Sequence, residues 1–147
     1  MKADWIEIKR GDIMPQFAGI HVSMNPEGHI ALNGATHQML GEPAAYLLLY
    51  DRVNNRIGLK PSAKAARNAY PVLRRNRTSA VVFAHRLLRE QRIILPHTLQ
   101  FDEADIDEDG ILILDLRSAK PSRRALAAVE RMRQKLARPN TPARANF

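Results

Sequence analysis

Apolar and polar positions alternate in short stretches over most of the chain, and only near its end does the period lengthen to that of a helix. Ile20-His21-Val22-Ser23-Met24 has the period of two expected of a half-buried strand. Asn25-Pro26-Glu27-Gly28 follows as a turn, with Pro at its second position and Gly where positive φ is needed, and His29-Ile30-Ala31-Leu32 returns as the partner strand. Asn33 can cap a short helix over 34–40 that Gly41 stops. Residues 44–50 and 56–60 read as a hairpin turning through Asp51-Arg52-Val53-Asn54-Asn55, with Pro61 ending the pattern. A weaker alternation at Trp5-Ile6-Glu7-Ile8 predicts a short edge strand, and residues 11–19 read as a loop.

The same order recurs further on. Residues 62–67 form a connector, 69–73 a strand and Arg74-Arg75-Asn76-Arg77 a basic turn. Ser79 is placed to cap a helix over 80–91 that buries Val81, Phe83 or Ala84, Leu87 and Leu88. Strands are expected at 98–101 and 111–116, joined through an acidic stretch whose Asp109-Gly110 is a hairpin turn signal. His37-Gln38-Met39-Leu40 aligns with His85-Arg86-Leu87-Leu88 at an offset of 48, and 56–60 aligns with 111–116 at an offset near 55, a repeat of pattern rather than of sequence. The expected organisation is an arm (1–18), two strand-strand-helix-strand-strand units (19–61 and 62–117) and a tail (118–147).

The tail opens on Lys120-Pro121-Ser122, a breaker followed by a cap. Over the predicted helix 123–138, Ala125, Val129, Met132 and Leu136 make a narrow apolar stripe, and Arg124, Arg131, Lys135 and Arg138 make a cationic one. Pro139 ends it, and 140–147 is expected to be disordered.

Charge sharpens this picture. Residues 1–116 hold 14 Lys/Arg and 14 Asp/Glu, whereas 117–147 hold nine cations and one acid, Glu130, so the net +8 belongs entirely to the tail. A cationic tail on a neutral body suits a polyanionic partner, and the plainer alternative is a solubilising tail. Within the body, seven arginines between 67 and 92 face one acid, Glu90, while 102–109 carries six acids and no base. The apolar run at Tyr46–Tyr50 is far too short for a membrane span, and the N-terminus has no secretory pattern. The chain has no cysteine, which excludes disulfides and thiolate chemistry and fits a cytoplasmic location. Aromatic residues are 5%, too few for a base-stacking platform.

Catalytic and metal signals are thin. Asp105-Ile106-Asp107-Glu108-Asp109-Gly110 begins like a calcium loop, but its twelfth position is Leu116 rather than a bidentate Glu, so an acidic hairpin turn is expected. The histidines at 21, 29, 37, 85 and 97 lack tight metal-ligand spacing. There is no glycine-rich phosphate loop or nucleophile motif. The reading calls for no enzyme, cofactor or metal.

The run Val22-Ser23-Met24-Asn25-Pro26-Glu27-Gly28-His29-Ile30-Ala31-Leu32-Asn33, the short helix ending in Leu40-Gly41, and the strands holding Leu47–Tyr50 and Arg56–Lys60 together resemble the AbrB/MraZ family of bacterial swapped-hairpin transcription regulators and antitoxins. The likeness spans roughly 40 of 147 residues, with 69–116 as a degenerate second unit. It implies an α+β, β-rich fold: two swapped-hairpin-like units closing a small barrel, with a basic C-terminal helix appended. It also implies binding of double-stranded DNA, with phosphate contacts supplying salt-dependent affinity. Where the family typically has Arg after the turn glycine and Pro before the helix, this chain has His29 and Asn33. The expected nucleic-acid contacts therefore move to Arg74, Arg75, Arg77, Arg86 and Arg89 in the second unit and to Arg124, Arg131, Lys135 and Arg138 in the tail. The expected partner is duplex DNA, with a homo-oligomer or a protein partner as further options and no membrane. The competing readings are a protein–protein adaptor of a nucleoprotein machine and an RNA-binding accessory protein.

Overall fold

The computed structural model describes residues 3–6, 19–76 and 79–137. The fold is α+β and strand-rich, with two antiparallel sheets and a C-terminal helix. In chain order the elements are β1 (Val22–Met24), β2 (His29–Asn33), α1 (Gly34–Met39), β3 (Ala45–Asp51), β4 (Arg56–Ser62), β5 (Ala69–Pro71), β6 (Leu73–Asn76), β7 (Ser79–Phe83), α2 (His85–Glu90), β8 (Leu99–Gln100), β9 (Asp105–Ile106), β10 (Leu112–Asp115), β11 (Lys120–Pro121) and α3 (Arg123–Ala137). One sheet runs β11-β8-β1-β2-β7-β6 and the other β5-β3-β4-β10-β9.

Each sheet has a hairpin from the first half lying beside a hairpin from the second. β2 pairs with β7 through Ala31↔Val81, and β4 pairs with β10 through Gly58↔Ile113. Strands from 19–61 and 62–117 therefore share both sheets. Among the described residues no strand pairing joins the two sheets, and their pairings do not close the expected barrel. Residues 69–76 show how the chain changes layers. β5 pairs with β3, β6 pairs with β7, and between them the amide of Val72 donates to the Ala44 carbonyl (3.0 Å), so one extended segment serves both sheets without linking their ladders.

The alternation read from the sequence decides what is buried. Val22 and Met24 of β1 and Ile30 and Leu32 of β2 point into a single core that also takes Tyr46, Ile57, Leu59, Leu112 and Leu114 from the other sheet. The side chain of Asn33 accepts a hydrogen bond from the Thr36 amide (3.1 Å) and caps α1, as expected. Its Nδ2 also donates to the Gly19 carbonyl (2.9 Å), which ties the chain entering β1 to the start of the helix.

Several expectations are corrected. Residues 79–83 are a strand, not the first turns of a helix: Val81 and Val82 are β-branched, and β7 is paired on both sides, by β2 and β6. The helix is confined to 85–90, begins at Ala84 without a side-chain cap, and still buries Leu87 and Leu88. The two short helices open at Gly34 and His85, so the offset is 51 rather than 48, and His37 is buried where His85 is exposed. Arg74 and Arg75 belong to β6 rather than to a turn. β4 continues through Pro61 to Ser62, beyond the stretch paired with β10. Residues 3–6 carry no strand, and Glu7 and Ile8 lie outside the described residues.

Candidate nucleic-acid interface

The arginines of the body fall at two ends of one ladder. β2 and β7 run antiparallel, with Asn33 opposite Ser79 at one end and His29 opposite Phe83 at the other. Arg74 pairs with Ala80 at the first end, beside α1, whereas Arg86 and Arg89 sit on α2, which leaves β7 at the second. They do not form one patch. Two of them are also engaged: Arg74 Nη2 lies 3.2 Å from Glu42 Oε1, and Arg86 Nε lies 2.9 Å from Glu90 Oε1 one helical turn on. Arg89 makes no ion pair with a described residue. Arg75 lies in β6 with its side chain outside the description, and Arg77 and Arg138 lie outside the described residues.

The Arg74–Glu42 pair borders a buried polar contact. His37 Nδ1 and the Tyr46 hydroxyl share a hydrogen bond of 2.8 Å under α1. Burial, reinforced by the Arg74 guanidinium, pushes the His37 pKa below the ordinary imidazole value, and Glu42 only partly opposes this. Burial pushes the Tyr46 hydroxyl up, so it stays protonated and keeps its proton for hydrogen bonding.

α3 has a different character. Ser122 Oγ accepts from the Ala125 amide (3.1 Å), and the Ser122 amide donates to the Thr98 carbonyl (3.0 Å), so the helix starts from a point fixed to β8 and β11. None of its residues is buried. Arg123, Arg124, Arg131, Arg133 and Lys135 are all exposed, and none pairs with a described carboxylate. Arg123 and Arg133 were missed by a reading that followed one stripe; the charge count of the tail was the signal that contained them.

Between the first turns of α3 and the outer face of the β1–β2–β7 layer runs an open groove of about 900 Å³. Its floor includes Ala31 and Val81, its sides carry His21, Ser23, Asn25 and Gln100, and Arg124 stands at its rim. Among the described residues no carboxylate lines it. His29, at the position where the resembled family has Arg, also lines the groove; it stacks on Phe83 with ring centroids 4.4 Å apart, and its Nδ1 is 3.3 Å from Asn25 Nδ2. Sequence reasoning did not find this groove, because its walls come from four separate stretches of chain.

The chain matches no family model, no curated protein and no solved structure.

The acidic stretch folds as a hairpin, with Ile106 opposite Leu112. Asp107 Oδ1 accepts from the amides of Asp109 and Ile111 (2.9 Å each), so this carboxylate is used in holding the turn. Among the described residues no three His, Cys, Asp or Glu side chains are grouped to hold a metal ion. Among those residues, too, no helix is long and apolar enough to cross a membrane.

Proposed function

We propose that the chain is a non-enzymatic double-stranded DNA-binding protein of the AbrB/MraZ-like swapped-hairpin type, a cytoplasmic transcriptional regulator or antitoxin. The fold part of this reading draws support from the interleaved hairpins: β2 against β7 and β4 against β10 is the pairing that two repeated units make when each lends a strand to the other's sheet. The observation that carries the DNA part is α3, where five exposed cations without a partner among the described carboxylates accompany a single acid, Glu130, on fifteen residues. Arg74 and Arg86 must first give up Glu42 and Glu90 to meet a phosphate, whereas the cations of α3 give up only water. The groove beside Arg124 offers hydrogen-bonding groups to a strand lying along the helix, and a described carboxylate, Glu27, is 3.6 Å from the His29 ring that lines it.

The test is duplex binding by the full chain across a salt series, with fragments of its own upstream region against unrelated DNA. Each phosphate contact contributes about 0.9 to the slope of log affinity against log salt. Replacing Arg124, Arg131 and Lys135 together by Gln should flatten that slope by about 2.7 if each side chain meets one phosphate. A regulator should also prefer one upstream fragment by about a thousandfold or more. An unchanged slope removes the tail from the interface, and sequence-blind binding moves the adaptor reading ahead, which the exposed apolar side of α3 independently favours.

A further inference from the structure

Phosphate contacts leave one side of α3 unused. Leu126, Val129, Met132 and Leu136 are 53, 44, 67 and 82% exposed, although the helix start is fixed to the body. Such a series on a fixed stem is a surface waiting for a partner rather than scattered exposure. Ala125, Val129, Met132 and Leu136 are spaced 4, 3 and 4 apart, the seam of a two-helix packing in which they take positions d, a, d and a. The positions flanking the seam change along the helix: Leu126 and Ala128 border its first half, Arg133 and Lys135 its second. At about 100° per residue, Arg124 and Arg131 point well away from the seam, on the reverse of the helix.

We propose that α3 docks an acidic amphipathic helix of a partner protein, with apolar residues along the seam and carboxylates against Arg133 and Lys135. Charge selects this occupant. Two copies of α3 would bring ten cations and two acids into one helix pair, since each copy carries five cations and Glu130. A bilayer surface favours a broader and bulkier apolar face than one that begins at Ala125 and Ala128. About four turns are marginal as an isolated helix, so the anchored start at Ser122 supplies part of the ordering that docking needs. The proposal does not depend on the DNA reading: Val129 and Met132 lie outside the expected phosphate contacts, and of those contacts only Lys135 flanks the seam, so Arg124 and Arg131 stay open to DNA while the seam is occupied.

The probe is a synthetic three-heptad helix with Leu at a and d and Glu at e and g, set against the same peptide with Lys at e and g. Both are titrated into the full chain by fluorescence anisotropy. The Glu peptide should bind at least tenfold more tightly than the Lys peptide and weaken as salt rises. The double variant Val129→Ser/Met132→Ser should lose at least tenfold of that affinity while keeping the wild-type melting temperature and the wild-type salt slope for duplex DNA. Equal affinity for the two peptides, or no binding of either, overturns the proposal. So does concentration-dependent self-association in sedimentation that the double variant abolishes, which would give the seam to a second copy. Capture of the chain, but not the double variant, by phosphatidylcholine vesicles containing phosphatidylglycerol would give it to a lipid surface and overturn the proposal equally.

Discussion

Replacing Gly28 by Ala should cost far more than its place in a turn suggests. Gly28 has φ +91°, and a Cβ built there would lie 2.7 Å from both Cα and N of His85 and 3.0 Å from the carbonyl carbon of Ala84. Its carbonyl also accepts the Ala84 amide at 2.7 Å. The tip of the β1–β2 hairpin is thus seated against the entry to α2, and the atoms in the way are backbone, which cannot swing aside. Gly110 is the natural control, with φ +76° and nothing within 4 Å of its would-be Cβ. Both substitutions incur the left-handed backbone cost of about 1–2 kcal/mol. Gly28→Ala adds overpacking of about 1–3 kcal/mol and weakens a hydrogen bond worth about 1 kcal/mol. Gly28→Ala should therefore destabilise by about 3–6 kcal/mol and Gly110→Ala by about 1–2 kcal/mol. For a chain of this size each kcal/mol moves the melting temperature by about 3 °C, giving losses of about 9–18 °C and about 3–6 °C. Urea unfolding followed by circular dichroism measures both, with an unchanged denaturant slope confirming that only stability moved. Equal losses at the two positions would refute the reasoning, since the hairpin tip would then not be packed on α2.

Two further outcomes follow from groups with assigned partners. The unfolded chain takes up a proton at His37 near the ordinary value of about 6.5, while the folded chain, with its imidazole buried beside Arg74, takes it up only at lower pH; stability should fall as pH drops below about 6.5, and His37→Gln should flatten that fall in urea midpoints measured from pH 7.5 to pH 5. Calcium at about 1 mM should leave the melting temperature unchanged, because Asp107 Oδ1 is already bonded to two amides of its own turn; a rise of several degrees would mean that the acidic hairpin binds the ion.

The legible parts of the molecule were those whose information is local. The alternation at Val22/Met24 and Ile30/Leu32, the turn at Asn25–Gly28, the cap at Asn33 and the cap at Ser122 each reside in a few consecutive residues, and each forms as read. β7 was misread because a strand paired on both sides can carry a continuous apolar run, and Ala80-Val81-Val82-Phe83 fits a helical stripe as well as a largely buried strand. The basic stretch at 74–77 looked like a turn because arginines suggest solvent, yet an edge strand such as β6 is a common home for them. The site residues suffered most. Glu42 neutralises Arg74 from 32 positions away, and no local pattern announces such a partner. The groove likewise depends on the packing of α3 near β2, which is decided only once both sheets exist.

The interleaving of the two halves bears on how the chain reaches its native state. β2 and β4 leave the ribosome well before β7 and β10, the strands that cover their free edges. Until then a nascent chain displays two open strand edges, the condition under which one molecule recruits another's strand. The registers Ala31↔Val81 and Gly58↔Ile113 are specified by side chains and are indifferent to whether residues 63–68 connect the partners within one molecule. Crowded synthesis can therefore yield exchanged dimers with the same two sheets, and a cut in that connector should leave two fragments that are unstructured apart and cooperative together.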